Sequence, residues 1–327
     1  MPALATADFR QDFAVPFGKI PVSANIIIAA DNNYTLYVNG EFIGQGYNLR
    51  EGQSYCVKLD SGCGCDIVFA VAVQNQGTTP NPAALITAIN VTYTDGTSTI
   101  IVSDASWRAN SDTPGFESND FDDSAWPYAV VVGNADSPPW GEPSLPPSGS
   151  SLSLADSYWI WNNQVPPGSP TSSAPVGTFA FRKTYKVPGG SLVQSGTIVI
   201  DTDNGYTLYI NGNKIGSGDN WPQAQRWTFT LPSPTDDIVL AIAATNLGGP
   251  AGFIVAAAFD AYCDGCSSSL VKVTDGTPDG TWKFSLAQPV PAGFEQPGYD
   301  DSDWLPTIVE GQYGVAPWGS VPIVNAN

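Results

Sequence analysis

The stretch DNGYTLYINGNKIGSG, Asp203 to Gly218, nearly repeats DNNYTLYVNGEFIGQG, Asp31 to Gly46. A duplication of this kind constrains the fold strongly, because one architecture must serve both copies. The likeness runs on along the chain. FRQDFAVPFG from Phe9 matches FRKTYKVPGG from Phe181, and DIVFAVAVQNQG from Asp66 matches DIVLAIAATNLG from Asp237. SDASWR around Trp107 matches DGTWKF around Trp282, and GFESNDFDDSAW from Gly115 matches GFEQPGYDDSDW from Gly293. PPWG ending at Gly141 matches APWG ending at Gly319, so every landmark keeps its order. The chain reads as a tandem duplication: residues 1–141, a Pro- and Ser-rich linker over 142–157, and residues 158–327.

Each copy spells strands. NIIIAAD and TIVIDTD are β-branched runs that end in turn residues, and YTLYVNGEFIGQG alternates around Asn39-Gly40. Asn-Gly suits a two-residue hairpin turn, whose central residues both take positive φ, and the second copy keeps it as Asn211-Gly212. Gly44, Gly46, Gly216 and Gly218 are expected at a bulge or a close packing contact. DIVFAVAV and DIVLAIAA are too apolar for a one-sided surface strand and belong deep in a sandwich. The expected fold class is all-β, two tandem β-sandwich jelly rolls. One asymmetry stands out. DSYWIWNN, with Trp159 and Trp161 alternating, precedes the second copy, whereas eight residues precede Phe9. The first repeat is therefore expected to lack that strand in this chain: either cleavage removed it, or a neighbouring chain supplies it and pairs the backbone groups left over.

Twelve Lys and Arg against 31 Asp and Glu give a formal charge of -19, a field that repels nucleic acid and anionic membranes. No apolar run reaches the roughly 18 residues needed to span a bilayer, and MPALATADFRQDF has no signal-peptide pattern. Five cysteines lie in two clusters, with no histidine to complete a zinc site. Their close spacing suggests local disulfides, Cys263 with Cys266 and Cys56 with Cys63 or Cys65, leaving one thiol over. The sequons at Asn33 and Asn90 suit an extracellular glycoprotein.

The combination of TLY(I/V)NG…IG.G, the Asn-x-Gly after an apolar strand, the later Trp, and (F/Y)DDS.W resembles the galactose-binding-like jelly-roll domain. It looks most like the versions attached to β-galactosidases and α-L-rhamnosidases, and the resemblance covers almost the whole chain twice. A weaker likeness is to the PA14 domain, but the adjacent Asp pair that its calcium-dependent adhesins use is absent here. The resemblance implies a non-catalytic carbohydrate-binding module, in which an aromatic ring stacks on a sugar face while amides and carboxylates bond its hydroxyls.

Several residues are candidates for such a site. Asp31 and Asn32, with Asp203 and Asn204, end strands just before the hairpins; they offer hydrogen bonds to sugar or, with Asp201, oxygen ligands to calcium. Equally, Asp and Asn there cap their own turns. Asn75 and Asn246 end the most apolar strand and are either rim residues or loop caps. Trp221, near Arg226 and Trp227, is a stacking platform or a local cap, and the first repeat has Leu49 and Tyr55 at the matching places. Asp122-Asp123 and Asp300-Asp301 are adjacent, so they point apart and read as turns beside Trp126 and Trp304, not as an acid/base pair. No triad, phosphate loop or HExxH pattern is present. The leading reading is an extracellular lectin or tandem binding module whose partner is a glycan or polysaccharide. The alternatives are a structural or adhesive subunit that assembles into oligomers or filaments by strand exchange, and a detached accessory domain of a hydrolase.

Overall fold

A computed structural model describes residues 5–47, 49–59, 65–76, 79, 81–147, 149–274 and 282–326. Nine strands come from the first repeat: β1 (Ala5–Phe13), β2 (Pro21–Asp31), β3 (Asn33–Val38), β4 (Glu41–Gly46), β5 (Gln53–Lys58), β6 (Ile67–Asn75), β7 (Ala84–Tyr93), β8 (Ser98–Val102) and β9 (Arg108–Asn110). The second repeat adds β10 (Tyr158–Trp161), β11 (Gly177–Lys186), β12 (Leu192–Asp203), β13 (Gly205–Ile210), β14 (Asn213–Gly218), β15 (Ala224–Thr235) and β16 (Asp237–Asn246). It continues with β17 (Gly252–Cys263), β18 (Cys266–Val273), β19 (Lys283–Ser285), β20 (Leu305–Pro306), β21 (Ile308–Gln312) and β22 (Ile323–Asn325). No helix occurs among the described residues, and the all-β expectation holds.

Two compact units emerge. Unit 1 comprises residues 1–146 with 188–192 and 261–270, and unit 2 comprises 147–187, 193–260 and 271–327. In unit 1 a sheet ordered β4-β3-β6-β1-β9 faces a second ordered β5-β2-β7-β8. Ile26, Ile28, Leu36, Phe69, Val71, Val91 and Trp107 fill the space between them. β6 contributes five consecutive buried residues, Ile67 to Val71, as its unbroken apolar run demands. The second repeat supplies the same two sheets, β14-β13-β16-β11-β19-β20 and β21-β10-β17-β12-β15-β22 with β18 beside β17. Its buried aromatic chain runs Trp161–Phe181–Phe253–Trp282, with ring centroids 5.0, 4.7 and 5.2 Å apart.

The hairpins follow the sequence closely. Asn39 and Gly40 have φ of 51° and 81°, and Asn211 and Gly212 have 46° and 78°. The asparagine side chains are also anchored: Asn39 Oδ1 accepts from Val68 N at 2.9 Å and Asn211 Oδ1 from Val239 N at 2.6 Å. The later glycines make room for rings, since a Cβ on Gly44 would lie 2.4 Å from Tyr55 and one on Gly216 2.3 Å from Trp227.

The (F/Y)DDS.W segments are turns. Hydrogen bonds from the Ser124 side chain and then its N hold the Asp122 carboxyl below the usual range, and those from the Ser302 side chain and N do the same for Asp300. Asp301 instead faces Arg182 and Lys283, each at 2.8 Å. Buried Arg10 and Arg182 pin the preceding loops, each donating from Nη1 to two carbonyls, Phe116 and Ser118 or Phe294 and Gln296.

The cysteine pairing differs from the local one expected. Cys56 is bonded to Cys266, 210 residues away, with Cα atoms 5.8 Å apart, and Cys263 is the free thiol. Within unit 1 the start of β18 lies across β2, where Asn25 Nδ2 donates to Ser267 O at 2.8 Å, and Cys56 is the register neighbour of Asn25. That crossing brings Cys266 to Cys56, a tertiary juxtaposition that spacing along the chain cannot reveal. Cys65 is also disulfide-bonded, and Cys63 lies outside the described residues. Burial pushes the Cys263 thiol up to about 11. The Cys56, Cys263 and Cys266 sulfurs lie within 4.8 Å of one another, but with two of them joined they do not offer three thiolates to zinc.

Candidate functional site

The end of β2 in unit 1 and the end of β12 in unit 2 carry the same construction. The Asp31–Asn32 and Asp203–Asn204 peptide bonds are both cis. Asn32 N donates to Gln74 O at 3.2 Å and Asn204 N to Thr245 O at 2.8 Å. Each Asn side chain then reaches over the following loop, where Oδ1 of Asn32 accepts from Gln76 N at 2.6 Å and Oδ1 of Asn204 from Leu247 N at 2.7 Å. The preceding carboxylates turn to an indole: Asp31 Oδ2 accepts from Trp140 Nε1 at 2.9 Å, and Asp203 Oδ2 from Trp318 Nε1 at 3.0 Å. In the sequence Trp140 and Trp318 are landmarks of the repeat. Their retention in Pro-Trp-Gly at both repeat ends was the signal that they belong to the site.

Asn75 and Asn246 are fully buried behind this rim. Asn246 Nδ2 donates to Ala174 O and Pro175 O at 2.9 and 3.1 Å, and its Oδ1 accepts from Gly248 N at 3.0 Å. In unit 2 it is thus a loop clamp that shapes the rim from below. Asn33 is half-buried and Asn90 is exposed on β7.

The second copy is the more elaborate. Asp201, at the place of Ala29, is 2% exposed; Oδ1 accepts from Thr202 N at 2.8 Å, and Oδ2 has no hydrogen-bond partner among the described residues. Burial, with the Asp203 charge adding to it, pushes its carboxyl up to about 8. Beneath the hairpin, Trp227 Nε1 donates to Tyr206 OH at 2.8 Å and Tyr206 OH to Gln225 Oε1 at 2.6 Å. In unit 1 the pair is Tyr34 and Tyr55, with hydroxyls 3.1 Å apart. Trp227 is therefore part of the wall, packed on Gly216.

Trp221 is half-buried against the cluster that holds Trp159 and Trp318, whose rings stack at 4.4 Å. One side of its ring is thus anchored while part remains open to solvent. Arg226 points elsewhere: its Nη2 donates to Leu152 O at 2.7 Å and ties residues 147–157 to β15.

Calcium accepts carboxylate, amide and backbone oxygens together. Asp31 belongs to unit 1, while Asp201 and Asp203 belong to unit 2, so the three carboxylates divide between the repeats. Among the described residues no three carboxylates converge within 4.8 Å. A carboxylate-only cage of Asp31, Asp201 and Asp203 therefore does not fit.

No family model matches the chain. A lectin from Pleurotus ostreatus, solved in complex with GalNAc, is 36% identical in sequence, with 99% of this chain and 91% of that chain covered and a TM-score of 0.46. The apo form of the Pleurotus ostreatus lectin gives 36% identity over 98% of this chain and 88% of that one, also at 0.46. An alpha-L-rhamnosidase of Streptomyces avermitilis is 31% identical over 182 residues, which are 53% of this chain. The match spans only 16% of that enzyme's length.

Proposed function

Because this chain belongs to the family of the Pleurotus ostreatus lectin, we propose that it is a carbohydrate-binding protein with one sugar site at the rim of each repeat. The carrying observation is the 36% identity that extends over 99% of the chain, both repeats included. The rim chemistry supports the reading. A half-open Trp221 ring in the second repeat offers a stacking face, and Asp203 and Asn204 bring carboxylate and amide oxygens to the same end of the sandwich. Asp31 and Asn32 do so in the first repeat without a tryptophan at the place of Trp221. Two weak sites would act together through avidity on a multivalent glycan.

In this reading the protein binds without catalysis. The adjacent carboxylates of the (F/Y)DDS.W turns are engaged by turn amides, arginines and Lys283, which leaves them unsuited to attack a glycosidic bond. The disulfides suit an oxidising, extracellular location. Calcium, where bound, sits with Asp203 and Asn204, and with Asp31 and Asn32.

Calorimetric titration with GalNAc tests the proposal. Saturable heat that falls at least tenfold in affinity in Trp221→Ala, with unit 1 sites weaker than unit 2 sites, is expected. Loss of the heat in EDTA and its return with calcium would place the metal at the rims. No saturable heat with GalNAc or with any glycan carrying it would overturn the reading.

A further inference from the structure

Three sulfurs meet in unit 1. Cys56 on β5, Cys263 at the end of β17 and Cys266 at the start of β18 all belong to that unit, and their Sγ atoms lie within 4.8 Å of one another. Cys56 is bonded to Cys266, and Cys263 keeps its thiol. A thiol held this close to a disulfide is the arrangement that thiol–disulfide exchange requires.

The fold permits a second pairing. Cys263 and Cys266 flank the two-residue turn Asp264-Gly265, in which Gly265 takes a φ of 81°. Residues facing each other across such a turn have Cα atoms about 4.5–5.5 Å apart, inside the range of about 4.4–6.8 Å that a disulfide spans. The turn is seated firmly, since a Cβ on Gly265 would lie 3.2 Å from Thr92 Cγ2 and 3.3 Å from Ser23 Oγ. Cys56 is held from the other side, where Ser191 Oγ donates to Cys56 O at 2.5 Å and Lys58 N to Gly189 O at 2.6 Å. Cys56 is buried, whereas Cys263 and Cys266 are half-buried. A free cysteine packs well as a small buried apolar side chain, so the place of Cys56 suits a thiol as well as half of a disulfide.

We propose that these three cysteines form a thiol–disulfide exchange centre, in which Cys263 attacks Cys266 and moves the crosslink from Cys56–Cys266 to Cys263–Cys266. The Cys263 thiol gives its proton to solvent and its sulfur bonds to Cys266 Sγ. The Cys56–Cys266 bond breaks, and Cys56 leaves as a thiolate that takes up a proton. No oxidant or reductant is consumed. The first pairing ties β5 to β18 across 210 residues, whereas the second closes only the turn and releases β5. β5 carries Tyr55, which packs against Gly44 of the hairpin, so the movable bond locks or frees that wall. A long crosslinked loop restrains the unfolded chain more than a short one, so folding favours Cys56–Cys266 and loosening of unit 1 favours the local pair. The attacking species is the thiolate. Burial raises the Cys263 thiol to about 11 and the Asp264 charge adds to this, while a hydrogen bond with Ser191 and the Lys58 charge oppose it. Exchange is therefore slow near neutrality and quickens about tenfold per pH unit below that value. The proposal does not depend on sugar binding.

The test holds the intact oxidised chain at pH 7 or pH 9, quenches it in acid, and labels free thiols with N-ethylmaleimide in denaturant before tryptic mapping. Label on Cys263, with peptide 51–58 joined to 227–272, marks the first pairing. Label on Cys56, with peptide 51–58 released, marks the second. The label is expected to move to Cys56 about a hundredfold faster at pH 9 than at pH 7, with faster hydrogen exchange in β5 as it does so. In Cys263→Ser, a conservative change that keeps the Cys56–Cys266 bond, Cys56 should stay unlabelled. Label that stays on Cys263 at pH 9 would overturn the proposal, as would label reaching Cys56 at the parent rate in Cys263→Ser. Label on Cys266 would place the attack on Cys56 and contradict it too. So would movement of the label only above the urea midpoint, because exchange would then need the unfolded chain and not the folded cluster.

Discussion

Asn39 in the first repeat and Asn211 in the second occupy one turn, take nearly the same positive φ and cap the same neighbouring strand. Ten residues earlier, Ala29 and Asp201 share a sequence position and little else: one is a small core residue, the other a buried carboxyl. The contrast recurs throughout the molecule. Residues that satisfy backbone groups are kept in both copies, among them the two hairpin asparagines, Arg10 and Arg182 on their loop carbonyls, and Asn32 and Asn204 over theirs. Some residues that fill space have diverged, including Tyr55 and Trp227, and Leu49 and Trp221, while Trp107 and Trp282 or Leu36 and Leu208 are kept. Losing a buried backbone partner carries the full desolvation cost of the orphaned group, whereas apolar volume can be redistributed among neighbours.

Three measurements would break or sharpen this comparison. The largest effect is expected for Trp159→Ala, which removes a fully buried ring stacked on Trp318. Unit 2 should lose about 4 kcal/mol in denaturant unfolding, with hydrogen exchange in unit 1 unchanged. A comparable loss in unit 1 would show that the repeats do not behave as separate frames.

Next comes Glu310→Gln. Burial raises the Glu310 carboxyl to about 7, outweighing a backbone hydrogen bond from Ser169 that pulls the other way. A raised folded-state value means that the folded chain holds this proton more tightly than the unfolded one. Its stabilising contribution is full below about pH 4 and is lost as pH rises through about 7. The variant should therefore gain about 3 kcal/mol over the parent at pH 8.5 and nothing at pH 4. Val132 occupies the corresponding place in unit 1, so the gain should be confined to unit 2. A gain that is the same at both pH values would contradict the assignment.

The smallest effect is the most symmetrical. Asn39→Ala and Asn211→Ala each place a methyl side chain at positive φ and remove one acceptor, at about 1 kcal/mol apiece. Thermal unfolding that shows one variant unaffected would mean that the two hairpins are not equivalent.

Much of the frame was legible from residues alone. The Asn-Gly turns, the apolar runs at Asp66 and Asp237, and the (F/Y)DDS.W turns announce themselves because their physics is local. The partners of Asp31 and Asp203 were not legible. Trp140 and Trp318 lie 109 and 115 residues away in sequence, and no periodicity connects them. Cys56 and Cys266 failed for the same reason, since close spacing suggested a bridge that the crossing of β18 over β2 redirects. Arg226 looked like a charged partner for a sugar, but β15 places its guanidinium on a backbone carbonyl. Trp221 and Trp227 looked alike in sequence, and only the position of Gly216 separates the wall residue from the half-open one.

A glycan-array profile recorded with calcium and again with EDTA tests the central claim most directly. The account predicts a selective set of bound glycans that includes terminal GalNAc and weakens sharply in Trp221→Ala. A flat array in both conditions would contradict it and leave the duplicated sixteen residues as a folding device alone.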